Sequence, residues 1–373
     1  MKIPIVSYGV TKFKEHWDLD LIDLIIMAAQ EAISRTDIKE NEIDAVYVAN
    51  SLNVADGSGS ISVLAAEKLN IKKANLIGGT DIAGALAIKE AANSIRSGEN
   101  DIVLVVGAEK MSDFIARDLL EMDKFFLDKE EGIQGITPVA LFGLITKAHI
   151  REFGTKVEDL ASISVKNHKN ARLNPKAQYP FEITKEQVLN SGLVADPITV
   201  LQCSSNPDGA AALIMVKPEL AKRYTEKPVY LIGCGEAQDS LAISRRKALT
   251  GMESTINAAK IAYRKAGIAP KDIDIAEVHD VFAISELMAL EDLGIIEKGR
   301  FNGYDDIIPI NKSGGLKGCG HPLAATGVRQ ACEIVMQLRG EGGERQVKDA
   351  KIGLTHTMGG IGASAVVNIF GVE

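Results

Sequence analysis

Cysteine is scarce in this chain of 373 residues: four thiols, at positions 203, 234, 319 and 332, with no spacing that suits a disulfide framework or a set of metal ligands. Reduced thiols in a cytoplasmic setting are the expectation, and no metal is called for. Long apolar runs are missing as well. No uninterrupted stretch approaches the about 20 residues that a membrane span needs, and Met1-Lys2-Ile3-Pro4-Ile5-Val6 reads as a first β-strand rather than a targeting leader. A membrane is therefore not an expected partner. Basic clusters are absent too, and the formal net charge is −8. A nucleic-acid groove or an anionic surface would require clustered Lys and Arg, so nucleic acid is excluded as the main partner. What the chain does have is apolar content, 46% hydrophobic residues, enough to bury a large core. Small molecules or other proteins are left as ligands.

The first part shows an alternation of apolar strand-like runs with helical periodicity. It predicts strands near 3–9, 43–49, 74–78 and 101–107 and helices over 20–35, 60–69 and 82–97. Such alternation implies an α/β fold, with a mostly parallel sheet and helices on its faces. The stretch 28–50 then recurs at 258–280. Ala28/Ala258, Ala29/Ala259, Ala32/Ala262, Ile38/Ile268, Ile43/Ile273, Asp44/Asp274 and Val48/Val278 are identical at one constant offset, several times what chance supplies. We therefore expect two related α/β halves, 1–111 and 227–373, with binding loops at the carboxyl ends of their strands. Residues 112–226 differ in character. They carry an acidic patch from Asp123 to Glu131, a helical segment from Pro138 to Glu152 and a polar stretch from Asn167 to Pro180, as expected of a substrate-covering insert.

Three loops hold the chemistry. The run Ser313-Gly314-Gly315-Leu316-Lys317-Gly318-Cys319-Gly320-His321-Pro322-Leu323-Ala324-Ala325-Thr326-Gly327 places an imidazole on a glycine-rich turn before a helical segment. Glu277-Val278-His279-Asp280-Val281-Phe282 ends an apolar strand, and His356-Thr357-Met358-Gly359-Gly360-Ile361-Gly362 ends another. Glycines on such turns let backbone N–H groups come close to an oxyanion. The first run resembles the glycine-histidine signature of the thiolase family, most closely its archaeal and sterol-carrier-protein branch. The second is similar to that family's HDxF element. The insert keeps the family's order in Val165 to Ala171, Asn174 to Tyr179 and Asp208 to Ala212, and Gly107-Ala108-Glu109-Lys110-Met111 belongs to the same likeness.

The resemblance implies a thiolase fold: two duplicated α/β halves in a five-layered α-β-α-β-α core with an inserted loop domain. It implies acyl-CoA or acetyl-CoA as ligand, with no cofactor beyond the coenzyme A thioester itself. It also implies a homodimer or tetramer and the possibility of a protein partner, as in archaeal thiolase complexes. By the same likeness His321 takes a proton from a nucleophile, His279 orients a water at the substrate carbonyl, the loop of Gly359 and Gly360 offers N–H groups to an oxyanion, Gly360 and Gly320 contact the substrate or coenzyme A, and Ser204 contacts the pantetheine arm.

The family's nucleophilic cysteine belongs in the loop Gly78-Gly79-Thr80-Asp81-Ile82-Ala83, where this chain has Asp81. Both of the family's usual places for a second cysteine are also taken, by Val281 and Thr357. A carboxylate attacking a thioester would form an anhydride, whereas a thiol exchanges one thioester for another at almost no cost. Asp81 has three open roles: the N-cap of the helix that follows, a general base, or a nucleophile. Cys319, two residues from His321, is either a replacement nucleophile or part of the turn. His356 is either a core histidine or a catalytic one. The functions these choices allow are an acyl-CoA-binding protein without thiolase activity, a CoA-thioester enzyme with Asp81 as base, an active acetyl-CoA C-acyltransferase, and a non-catalytic partner subunit.

Overall fold

The computed structural model describes residues 1–52, 60–115, 118 and 126–372. Its strands are β1 (Ile3–Val10), β2 (Ala45–Asn50), β3 (Ala74–Gly78), β4 (Ile102–Glu109), β5 (Leu193–Ala195), β6 (Ile198–Thr199), β7 (Gly209–Val216), β8 (Val229–Gln238), β9 (Ile275–Glu277), β10 (Ile352–Gly359) and β11 (Ser364–Gly371). Its helices of eight or more residues are α1 (Leu21–Ser34), α2 (Ile61–Lys68), α3 (Ala83–Arg96), α4 (Pro138–Phe153), α5 (Val157–Arg172), α6 (Glu253–Ala266), α7 (Ala283–Asp292) and α8 (Leu323–Arg339). All seven elements expected in the first 111 residues form, with ends shifted by no more than two residues.

Side-chain alternation along the strands builds the layers. On β2 and β4, Val46, Val48, Leu104 and Val106 face α1 and α2, whereas Ala45, Tyr47, Val103 and Val105 face α3 and α8. On β11, Ala365, Val367 and Ile369 face α6 and α7, and Phe370 faces the centre. Helices α3 and α8 are thus shared between two sheet halves, and the order across the molecule is α-β-α-β-α.

The strand order β3-β2-β4-β7-β1-β8-β11-β10-β9 reads as a mirror about the β1–β8 seam. On each side two strands run parallel, β2 with β4 and β9 with β10, and the next joins antiparallel, β7 to β4 and β11 to β10. Ile310 bridges Ala276 in parallel at the place that β3 holds beside β2. The expectation of a mostly parallel sheet is corrected by this order. The sheet is mixed because β7, far along the chain, inserts antiparallel between β4 and β1, β8 pairs antiparallel with β1, and β11 lies antiparallel between β8 and β10. Since β7 lies within the stretch 112–226 yet completes the first half's sheet, we propose residues 112–208 as the insert.

The repeated residues do the same work twice. Asp44 Oδ2 accepts from the N–H groups of Asp101 and Ile102, and Asp274 Oδ2 accepts from those of Lys351 and Ile352. Gly9 lets β1 approach α1 so closely that an added Cβ would lie 2.2 Å from the Ala28 carbonyl oxygen. Gly235 does so for β8 and α6, with 1.9 Å to the Ala258 oxygen. The alanines recur because two backbones meet there.

In the insert, Asp123 to Phe125 of the acidic patch lie outside the described residues; Asp128 caps a short helix, Lys129–Ile133, and Glu130 pairs with Arg245. Among the described residues no helix is long and apolar enough to cross a membrane.

Candidate active site

Asp280 is the anchor of the glycine-rich run. Its buried carboxylate accepts from the N–H groups of Leu316 (2.6 Å) and Lys317 (3.2 Å) and from Asn167 Nδ2 (2.7 Å), so it caps the short helix Gly315–Cys319. Burial first, and then the nearby charge of Glu286, pushes its pKa up to about 7. The asparagines of the polar stretch beginning at Asn167 point inward. Asn167 holds Asp280, Asn170 donates to the carbonyls of Ile310 and Asn311, and Asn174 donates to that of Ser313. Those asparagines are polar because they satisfy buried backbone and carboxylate groups.

The run delivers His321 through a turn that requires glycine. Gly320 has φ +105°, and a side chain there would meet Pro207. His321 N–H donates to the Ser205 carbonyl (2.9 Å), and Nδ1 shares a 2.7 Å hydrogen bond with buried Thr326 Oγ1, which leaves Nε2 on the cavity side. The His279 ring stands edge-on to it, with centroids 4.9 Å apart at 85°. Burial, with Arg329 adding to it, lowers the His321 pKa to about 3. Burial and the neighbouring histidines push His279 well below the usual imidazole value. Both rings are therefore neutral at physiological pH. His279 Nδ1 is buried without a protein hydrogen-bond partner.

Asp81 lines the same cavity, of about 170 Å³, together with Ser204, His279, Val281, His321 and Gly360, and the insert covers it with Pro138 and Phe142. The N-cap reading of Asp81 is corrected: Ile82 holds the N-cap place of α3. The carboxylate instead accepts from the Gly360 N–H, at 3.0 Å to Oδ2 and 3.3 Å to Oδ1. An added Cβ at Gly359 would lie 2.2 Å from Asp81 Oδ1, so the backbone of that loop is pressed against the carboxylate.

Cys319 is not brought to the cavity. It is 1% exposed in the central core, and burial pushes its thiol up to about 11. His356 is likewise a core residue, fully buried, with Nε2 3.0 Å from Thr255 Oγ1, and burial lowers its pKa to about 3. Thr357 Oγ1 donates to Gln330 Oε1 (2.7 Å) away from the cavity. Sequence reading missed two buried carboxylates. Glu109 accepts from Asn50 Nδ2 and from the N–H groups of Ser51, Leu52 and Ala324, and burial pushes it up to about 7. Asp208 accepts from the N–H groups of His16, Met111 and Ser112 at 2.7 Å each and pairs with Lys110 at 3.0 Å. Both stand in motifs already noted, Gly107 to Met111 and Asp208 to Ala212, and the acid in each was the available signal.

The family described as "Thiolase, N-terminal domain" matches residues 3–219, and "Thiolase C-terminal domain-like" matches residues 235–372. The acetyl-CoA acetyltransferase of Methanothermobacter thermautotrophicus is 40% identical, with 99% of each chain covered. Sterol carrier protein 2 of Oryctolagus cuniculus is 33% identical over 99% of this chain and 72% of its own length. Among solved structures, the Ltp2-ChsH2(DUF35) aldolase superposes with a TM-score of 0.86 at 22% identity, covering all of this chain and 98% of the other.

Proposed function

This chain belongs to the thiolase family, and from that premise we propose that it binds a coenzyme A thioester in the cavity between Asp81, His279 and His321 without forming an acyl-cysteine. The observation that carries the proposal is the cavity's own chemistry: a carboxylate and two neutral imidazoles line it, and none of the four cysteines does. Burial raises every thiol, Cys203, Cys234 and Cys319 to about 11 and Cys332 higher, so none supplies a thiolate at neutral pH.

Asp81 does not take the thiol's place. Attack on a thioester by its carboxylate gives an anhydride, uphill where thiol exchange is level. Binding needs no such step. His321 Nε2 and the Gly360 loop flank the thioester end, and Ser204 stands on the side of the pantetheine arm. The unpartnered His279 Nδ1 offers a bond to an ordered water at the carbonyl.

The four free thiols suit a reducing cytoplasm. We propose that the molecule acts as a homodimer or higher oligomer and pairs with a second protein, by analogy with the paired name of the Ltp2-ChsH2(DUF35) aldolase.

Titration calorimetry with coenzyme A and acetyl-CoA tests the reading, with saturable binding expected. Intact-mass spectrometry after incubation with acetyl-CoA should show unmodified protein. Acetylation of the wild type would sink the proposal, and absence of any binding heat would favour a purely structural subunit.

A further inference from the structure

We propose that Asp81 is an internal occupant of the Gly360 amide site, and so the residue that determines which ligand groups the cavity takes. Both carboxylate oxygens lie within hydrogen-bond reach of one N–H, and the side-chain-free backbone of Gly359 is pressed against Oδ1. That notch is shaped for an oxygen bearing negative charge, and the chain fills it with its own. Asp81, Phe126 and Gly360 also line a second cavity, of about 260 Å³, so the carboxylate stands in the wall between the two.

A tethered carboxylate competes at high effective concentration with any dissolved one. A thioester oxygen or free carboxylate must displace it, at the cost of a charge-assisted hydrogen bond. With Asp81 seated, the cavity presents an acceptor where the empty notch would present a donor. At the Gly360 position it therefore favours a ligand group that donates a hydrogen bond, such as a hydroxyl, over one that only accepts, and a thioester carbonyl is left to the His279 side. This deepens the reading above by naming the group that blocks carbonyl activation, and its test needs no coenzyme A, so either can fail alone.

The probe is acetate, followed by saturation-transfer NMR with wild type, Asp81→Ala and Asp81→Asn. Asp81→Ala should bind acetate at least tenfold more tightly than wild type. Asp81→Asn, whose neutral amide oxygen accepts from Gly360 more weakly than a carboxylate, should bind acetate with an affinity between the two. Equal acetate binding by wild type and Asp81→Ala overturns the proposal, as does a folded Asp81→Ala that binds none. If Asp81→Ala does not fold, the Gly360 amide proton decides: it should lie downfield in wild type and move upfield in Asp81→Asn, and an unchanged shift overturns the assignment.

Discussion

At the residue scale the question is what a thiol would do where Asp81 stands. Asp81→Cys would place sulfur beside neutral His321 and just ahead of α3, whose N-terminal N–H groups favour a thiolate. Incubated with acetyl-CoA, this variant should gain one acetyl group by intact mass while wild type gains none. Full turnover is not expected, because Val281 and Thr357 supply no second thiol. The histidines give a second test. With pKa values pushed down by burial, His321 and His356 to about 3 and His279 well below normal, their imidazole signals should not titrate between pH 5 and 8. Each stays neutral in the fold but gains a proton at about pH 6.5 when unfolded. The stability they contribute is present above that pH and is lost as pH falls toward about 3. His321→Gln should therefore flatten the acid slope of urea-unfolding free energy by about 1.4 kcal/mol per pH unit below pH 6. His279 and His321 were legible because Gly, Pro and Asp surround them in recognisable turns. Glu109 was not singled out, since its partners Ser51 and Ala324 lie far off in the chain and a strand-end glutamate looks ordinary.

At the element scale, the close crossings of β1 over α1 and β8 over α6 are the most brittle joints. Gly235→Ala would drive a methyl carbon to 1.9 Å from the Ala258 oxygen and should cost about 3 kcal/mol by chemical denaturation. Gly98→Ala, at φ +78° with nothing within 4 Å, should cost only about 1 kcal/mol. Equal losses would mean that the crossing can widen. The strands and helices of the first half were readable because short apolar runs, buried on both faces, take turns with segments of helical period. The place of β7 was not: Gly209–Val216 is a continuous apolar run, and its partner β4 ends 100 residues earlier, at Glu109. Nothing local in such a run specifies parallel or antiparallel pairing.

For the whole molecule, β3 closes one side of the sheet among the described residues, with Ala74 to Ile77 half-buried and Gly78 exposed. Such an edge invites a second strand. We expect a homodimer formed there, with light scattering giving twice the chain mass at micromolar concentration; a monomer would count against it. The mirror order also bears on how the protein is made. The first strand synthesised, β1, sits at the centre, held by β7 and β8. About 200 residues must follow before β7 exists, a wait of roughly 10 to 40 s at about 5–20 residues per second on the ribosome. Once β7 emerges the first half can complete its strand pairing, but the inner face of α3 still lacks α8, the last helix made. A nascent chain halted after residue 226 should therefore fold its sheet and still hold a bare apolar flank, a natural landing place for a chaperone until the second half arrives.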